Sequence, residues 1–301
     1  MNNRPSSNNV LNAMTVDVEE HFQVSAFEGV VDREKWESIP SRVEANTDRL
    51  LGLFDDAGVH ATFFVLGWIG ERHVSLVRRI ADAGHEVASH GYSHRLIYNQ
   101  KPDEFRQEVV LSRRILEDAS GQSVVGYRAA SFSIGRKNLW ALDVLAEAGF
   151  AYDSSLFPVV HDRYGMPGMP RHIYRLKTRE GRTLVEIPPS TLALGKVTLP
   201  VVGGGYLRLY PTKFNCWAIG RLNRREGMPA VVYVHPWEVD PGQPRIRASL
   251  LSRWRHYSGL RTTIAKLQNL MAHYRFGPIS DVIAEANGAG LVSVEIGHHE
   301  G

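Results

Sequence analysis

Cysteine is almost absent: Cys216 stands alone in 301 residues. Without a second thiol the chain cannot staple itself, which removes the disulfide frameworks of small secreted domains and any dithiol redox chemistry. Cys216 lies in a helix-like run, residues 211–227, and reads as a small buried hydrophobe. Long apolar runs are also missing. The longest, residues 61–69, falls far short of the roughly 20 residues that a membrane-spanning helix needs. Residues 1–9 are polar and lack the apolar centre of a signal peptide, so a soluble, cytoplasmic protein is expected. No Pro/Ser/Gly-rich linker divides the chain, and 43% hydrophobic content is enough for one large core. A single domain over residues 1–301 is expected, with a core at about 12–240 and a basic helical extension at about 241–301.

Acidic residues are missing from one stretch. Residues 241–280 hold no Asp or Glu but carry Arg245, Arg247, Arg253, Arg255, Arg261, Lys266 and Arg275. A solvated basic helix face is the ordinary reading of such a stretch. The functional reading is an anionic partner: a phosphorylated lipid carrier, a membrane surface or an acidic glycan. No reader motif for nucleic acid accompanies the charge, so nucleic acid is not expected as a partner.

What is present is an alternation of strand and helix patterns. A strand over residues 12–17 precedes an amphipathic helix that Gly58 stops, and residues 60–66 form a buried strand. Residues 69–83 read as a helix ended by Gly84, and 86–89 as a strand. Pro102 opens a helix that runs to Gly121; a strand over 124–127 and a helix over 138–148 follow. Residues 171–187 alternate about Arg179-Glu180-Gly181-Arg182 and predict a β-hairpin. The repeated order implies parallel strands with right-handed crossovers, and the number of units favours a closed or nearly closed barrel. Gly203-Gly204-Gly205 permits close backbone approach and reads as a structural loop, since no phosphate-binding fingerprint surrounds it.

The chemistry collects at strand ends. Ser89-His90-Gly91-Tyr92-Ser93-His94 places two histidines four apart, so their imidazoles can converge on one divalent metal. Asp17 ends the strand-like run far upstream, and His235 ends Val231-Val232-Tyr233-Val234 far downstream. A third, oxygen ligand would leave open positions for water and substrate, as a hydrolytic metal centre needs.

These residues resemble the polysaccharide deacetylases of carbohydrate esterase family 4, the NodB-homology group, from about residue 12 to 235. The subgroup they look most like is the exosortase-associated deacetylases of exopolysaccharide loci. The resemblance implies an α/β fold, a distorted (β/α)7 barrel, here with a β-hairpin insertion and C-terminal helices. It also implies removal of N-acetyl groups from N-acetylhexosamine units with a divalent metal, zinc being the expected ion. Asp17 matches the general base of the family's Thr-Phe-Asp-Asp motif, while Val18 stands where the second Asp would bind metal. Positions i and i+2 of a strand share a side, so Glu19 can supply that oxygen, with Glu20 and His21 as rivals. His90 and His94 match the two histidine ligands of His-Ser/Thr-x-x-His. Arg128 matches the arginine that pairs with the base, although Ala130 replaces the motif's proline. His235 matches the general acid, with Tyr233 in place of the leucine that lines the acetyl pocket. Asp153 matches the fourth motif loosely, and a turn role fits it equally. Tyr92, Phe132, Trp237 and Trp68 are candidates to stack on sugar rings, with Tyr233 beside them in the substrate pocket.

Two other functions fit parts of the pattern. One is a metal-independent C–N hydrolase of the same superfamily acting on a small ureide or amide. The other is a catalytically inactive glycan-binding module, which would not need Asp17, Arg128 and His235 together.

Overall fold

Strand β1 (Leu11–Val18) lies between neighbours on both sides and is buried along most of its length. Met14, Val16 and Val18 enter the main hydrophobic core, while Thr15 and Asp17 are buried among polar partners. A period of two thus sorts one strand into a packing face and a chemical face. The structure is a computed structural model that describes residues 10–161, 164–195 and 197–296. Residues 1–9, read from the sequence as a polar terminus, lie outside the described residues.

The chain continues through α1 (Val43–Ala57), β2 (Thr62–Val65), α2 (Gly67–Arg72), α3 (Val74–Asp82) and β3 (Glu86–Ser89). Then come α4 (Pro102–Ser120), β4 (Gly126–Tyr127), α5 (Trp140–Glu147) and β5 (Tyr152–Asp153). Beyond them lie β6 (Tyr174–Lys177), β7 (Thr183–Glu186), β8 (Thr191–Leu194), β9 (Val197–Pro200), α6 (Gly204–Leu209) and α7 (Thr212–Arg221). The chain closes with β10 (Val231–Val234), α8 (Leu250–Tyr257), α9 (Thr263–His273), β11 (Arg275–Gly277), α10 (Ile279–Ala289) and β12 (Ser293–Glu295).

Ten strands form one sheet in the order β10-β1-β2-β3-β4-β5-β7-β6-β12, with β11 also on β1. All its pairings are parallel except the β6–β7 hairpin. The α/β class is therefore as expected, but among the described residues the sheet does not close into a barrel. Between β7 and β10 there is no ladder. The Ser190 hydroxyl accepts from the Val231 amide at 2.7 Å, and Gly203 makes a single bridge to Tyr233. A cross-strand hydroxyl and one bridge fill a gap that two aligned strand edges would otherwise close.

Several local expectations change. The helix predicted over 69–83 is two helices, because His73 leaves the helical region at φ −123° and ψ 52°. The hairpin over 171–187 is present as β6 and β7, but a second one, β8–β9, was not anticipated. The C-terminal extension is not only helical: β11 and β12 both join the main sheet.

The Gly203 region starts helix α6 where a loop was expected. Close approach is what this glycine provides, since a Cβ there would stand 1.9 Å from the Tyr233 ring. Gly203→Ala should therefore displace Tyr233 and destabilise the fold by about 1–3 kcal/mol. The midpoint of urea unfolding measures it, and an unchanged midpoint would mean that the ring moves freely.

Candidate active site

Strands β1, β3, β4, β5 and β10 each carry a polar residue at or just beyond the C-terminal end, where α/β sheets place their chemistry. Asp17 and Glu19 come from β1, His90 and His94 from the loop after β3, Arg128 from β4 and His235 from β10. Asp17, Glu19, His90, His94 and His235 line one cavity of about 390 Å³.

Glu19, His90 and His94 are buried, and one ligand atom from each lies within 4.8 Å of the other two. The Nδ1 of His90 is 2.9 Å from the Arg128 carbonyl, so it carries the proton and leaves Nε2 bare. Burial, helped by His94 and Arg128, outweighs Asp17 and Glu19 and pushes His90 down to about 4. At neutral pH it is the uncharged ring that binds metals. His94 sits in the left-handed region at φ 52°. Arg33 holds that turn by donating to the Ser93 and His94 carbonyls at 3.2 and 3.4 Å. The His94 Nε2 lies 2.8 Å from Glu19 Oε2, a buried oxygen. Burial would raise the Glu19 carboxyl, but the charges of His94, His235 and His90 outweigh it and bring it down to about 2. A buried, ionised carboxylate beside the bare Nε2 of His90 and the His94 imidazole suits a divalent cation.

Asp17 faces this cluster and is tied to Arg128, whose Nη1 donates to its Oδ1 at 2.7 Å. Arg128 is fully buried; it also donates to Thr15 Oγ1 at 2.8 Å and Ser154 Oγ at 3.0 Å, and lies over the Phe64 ring. Across the cavity, His235 Nε2 is 3.8 Å from Asp17 Oδ2 and 3.7 Å from Glu19 Oε1. Its Nδ1 is 3.4 Å from Glu238 Oε2. Burial would lower His235, but Glu238 above all, then Glu19 and Asp17, raise it to about 9. The imidazolium is therefore the neutral-pH form in the metal-free protein.

Residues 35–152 match the family model Polysaccharide deacetylase, and residues 154–284 match Domain of unknown function (DUF3473). The peptidoglycan-N-acetylglucosamine deacetylase of Bacillus cereus is 35% identical over 75 residues, 25% of this chain and 27% of that protein. A chitooligosaccharide deacetylase of a Bradyrhizobium species is 31% identical over 126 residues, 42% of this chain and 55% of that protein. Part of the chain is thus similar to polysaccharide deacetylases. It spans between 27% and 55% of those two relatives' lengths. A solved Mycobacterium smegmatis structure, assigned to the polysaccharide deacetylases, aligns over 98% of this chain and 96% of that one. Its TM-score is 0.67 at 23% identity, a likeness of fold.

Within this site the three rival ligands stand apart. Glu20 caps α1, accepting from Ser41 Oγ at 2.5 Å and from the Arg42 and Val43 amides at 2.9 and 3.1 Å. His21 is buried away from the cavity lining, and Val18 points into the core. Glu19→Ala should therefore weaken metal binding by at least about tenfold. Glu20→Ala should instead lower stability by about 1 kcal/mol through the lost cap, and leave the metal in place. Equilibrium dialysis and thermal unfolding of both variants check this pair of outcomes.

Phe132, Tyr233 and Trp237 line the cavity. Tyr92 does not. Its hydroxyl donates to Glu71 at 2.7 Å and its ring packs beside Gly67 on α2, outside the cavity. The adjacent loop turns this side chain outward even though both histidines turn in. Trp68 is also outside, edge-on to Trp36 with Arg72 over its face. Asp153 accepts from Ser155 Oγ at 2.6 Å, and Ser155 Oγ accepts from the Ala129 amide. Burial pushes Asp153 up to about 6 beside the equally buried Glu186, so it braces the Arg128 loop rather than facing the cavity.

Sequence reasoning missed Glu238 and Arg208. Glu238 accepts from the His235 amide at 3.1 Å and from Arg208 Nε at 2.6 Å. Burial would raise Glu238, but Arg208 and His235 hold it at about 2. Trp237 stacks between His235 and His256, at 5.0 and 4.1 Å, and donates from Nε1 to Glu19 Oε1 at 3.0 Å. The i, i+3 spacing of His235 and Glu238 was a visible signal. Arg208 left none, being 30 residues upstream of its partner. The DUF3473 region thus contributes a cavity wall with Tyr206, Arg208, His235, Trp237 and His256.

Proposed function

We propose that this chain is a metal-dependent hydrolase that removes N-acetyl groups from N-acetylhexosamine units of a bacterial polysaccharide or its lipid-linked precursor. The observation that carries the reading is one cavity end with two parts. A buried Glu19–His90–His94 cluster lies on one side, and Asp17 faces His235 beside it. Zinc fits the one-carboxylate, two-imidazole donor set. We read the chain as one catalytic domain, because β11 and β12 pair with β1 and β6 of the sheet that carries the site.

Glu19, His90 and His94 would hold the divalent cation, which would supply Lewis acidity for hydrolysis of the acetyl amide. Arg128 holds and aims Asp17, so that Asp17 takes a proton from the water as the water oxygen bonds to the carbonyl carbon. Glu238 holds the His235 imidazolium, which gives its proton to the departing sugar nitrogen as the C–N bond breaks. Acetate and a free amine result. Phe132, Tyr233 and Trp237 supply the apolar wall against which the acetyl and sugar ring rest.

The substrate reading follows the activities of the relatives, and the exosortase-associated, exopolysaccharide-locus assignment follows the motif resemblance. Acting on a lipid-linked precursor before export would place the enzyme at the cytoplasmic leaflet. Among the described residues no helix is long and apolar enough to cross a membrane. The test combines metal analysis of the purified protein with acetate release from N-acetylhexosamine oligomers. Bound zinc with acetate release is expected. Acetate release by thoroughly metal-free protein would favour a metal-independent C–N hydrolase, and glycan binding without release would favour an inactive binding module.

A further inference from the structure

Helix α8 carries an apolar face that no other part of the described protein covers. Leu250, Leu251 and Trp254 are 82%, 55% and 56% exposed, and their i, i+1, i+4 spacing puts them on one side. The opposite side is anchored: His256 stacks on Trp237, and Phe27 packs against His256 and Tyr257. Arg208 fixes the helix end by donating to the Arg255 and His256 carbonyls at 3.0 Å, and to that of Ser258. The apolar face is therefore held outward on a rigid element rather than hanging from a loose segment.

The charged residues of its own stretch of chain have one sign. Arg245, Arg247, Arg253, Arg255 and Arg261 are exposed in a stretch without Asp or Glu. Two other basic residues of that stretch are held by partners within the protein. Lys266 is buried and donates to the Leu207, Arg208 and Tyr210 carbonyls, and Arg275 pairs with Glu285. Trp254 and Arg255 also line the catalytic cavity with Leu209, so α8 stands at the cavity mouth.

We infer that α8 docks the enzyme on an anionic bilayer, so that the mouth of the cavity opens at the membrane surface. Leu250, Leu251 and Trp254 enter the interfacial layer, and the exposed arginines pair with lipid phosphates. Tryptophan suits this depth because its ring is apolar and its N–H is not. A second copy of the chain is the poorer occupant, since a two-fold contact would bring the same arginines against each other. The inference deepens the proposed function and rests on it only for its purpose, access to a lipid-linked glycan. The docking itself is separate chemistry.

Sedimentation of the full chain with phosphatidylglycerol/phosphatidylcholine vesicles tests it. Wild-type protein should bind at about 50 mM salt and be released at about 0.5 M, where the screening length is only a few ångströms. It should ignore vesicles of phosphatidylcholine alone. Leu250→Ser/Leu251→Ser and Arg247→Gln/Arg253→Gln should each weaken binding at least tenfold. Both should keep wild-type acetate release from soluble oligomers, which separates a failure of docking from a failure of the deacetylase reading. Absent binding by wild type, binding unchanged in both variants, or a wild-type dimer that Leu250→Ser/Leu251→Ser dissociates would each overturn the inference.

Discussion

Asp17→Asn and His235→Ala should each lower acetate release by about a hundredfold or more, with bound metal and folding unchanged. Asn keeps the shape of Asp17 and its acceptor oxygen for Arg128, but it cannot take a proton from water. The Asp17–Arg128 contact at 2.7 Å is buried, so the variant also leaves a guanidinium without its counter-charge, and some stability is lost with the activity. Turnover and thermal unfolding measured together separate the two effects. His235→Ala removes the proton donor, and its loss should be partly recovered with substrates whose leaving amine is less basic. The pH profile carries a second signature. Below the pKa of His235 the imidazolium is intact and the rate persists; above it the donor is gone and the rate falls. In the metal-free site that pKa is about 9, raised against burial chiefly by Glu238. A cation on Glu19 would draw it downward, so the alkaline limb should lie at or below about pH 9 and disappear in His235→Ala. Turnover near wild type in Asp17→Asn would remove the base assignment.

Replacing both His90 and His94 by Ala should abolish metal retention and reduce acetate release to background. Glu19 alone is too weak a site, since a lasting zinc centre needs about three protein ligands. Metal loss should also cost stability. Burial disfavours the ionised Glu19, and its nearest polar partner is His94 at 2.8 Å. Without the two imidazoles its nearest remaining partners are the Trp237 N–H and His235. The Glu19→Gln change added to the double variant should therefore restore part of the lost stability without restoring metal. Elemental analysis and unfolding midpoints read both outcomes. Metal retained at full stoichiometry in the double variant would move the centre elsewhere.

The parts of the site legible in the sequence are those whose evidence is local. His90 and His94 are four apart behind a strand, and Asp17 and His235 each end an apolar alternating run. Glu19 was legible as a candidate for the same reason, since the pleat puts i and i+2 on one side. Nothing local could rank it above Glu20, because what removes Glu20 is the start of α1, some 20 residues on, where Ser41, Arg42 and Val43 claim its carboxylate. Tyr92 failed for a similar reason. It sits between two inward histidines, but Glu71 and the groove beside Gly67 turn it outward.

The sequence by itself determined the α/β class, the parallel strand order of the first half and the residue types gathered at the strand ends. Those follow from periodicity and caps, which act over a few residues. Tertiary structure alone decided that the sheet stays open between β7 and β10, where a hydroxyl and one glycine bridge replace a ladder. It also decided which carboxylate joins His90 and His94, and that Arg208 and Glu238 stand behind His235. It split the basic stretch as well, burying Lys266 against three carbonyls while leaving Leu250, Leu251 and Trp254 exposed beside the arginines. Each of these choices is a competition among partners distant in sequence, settled by burial and hydrogen-bond geometry that no short window of residues contains.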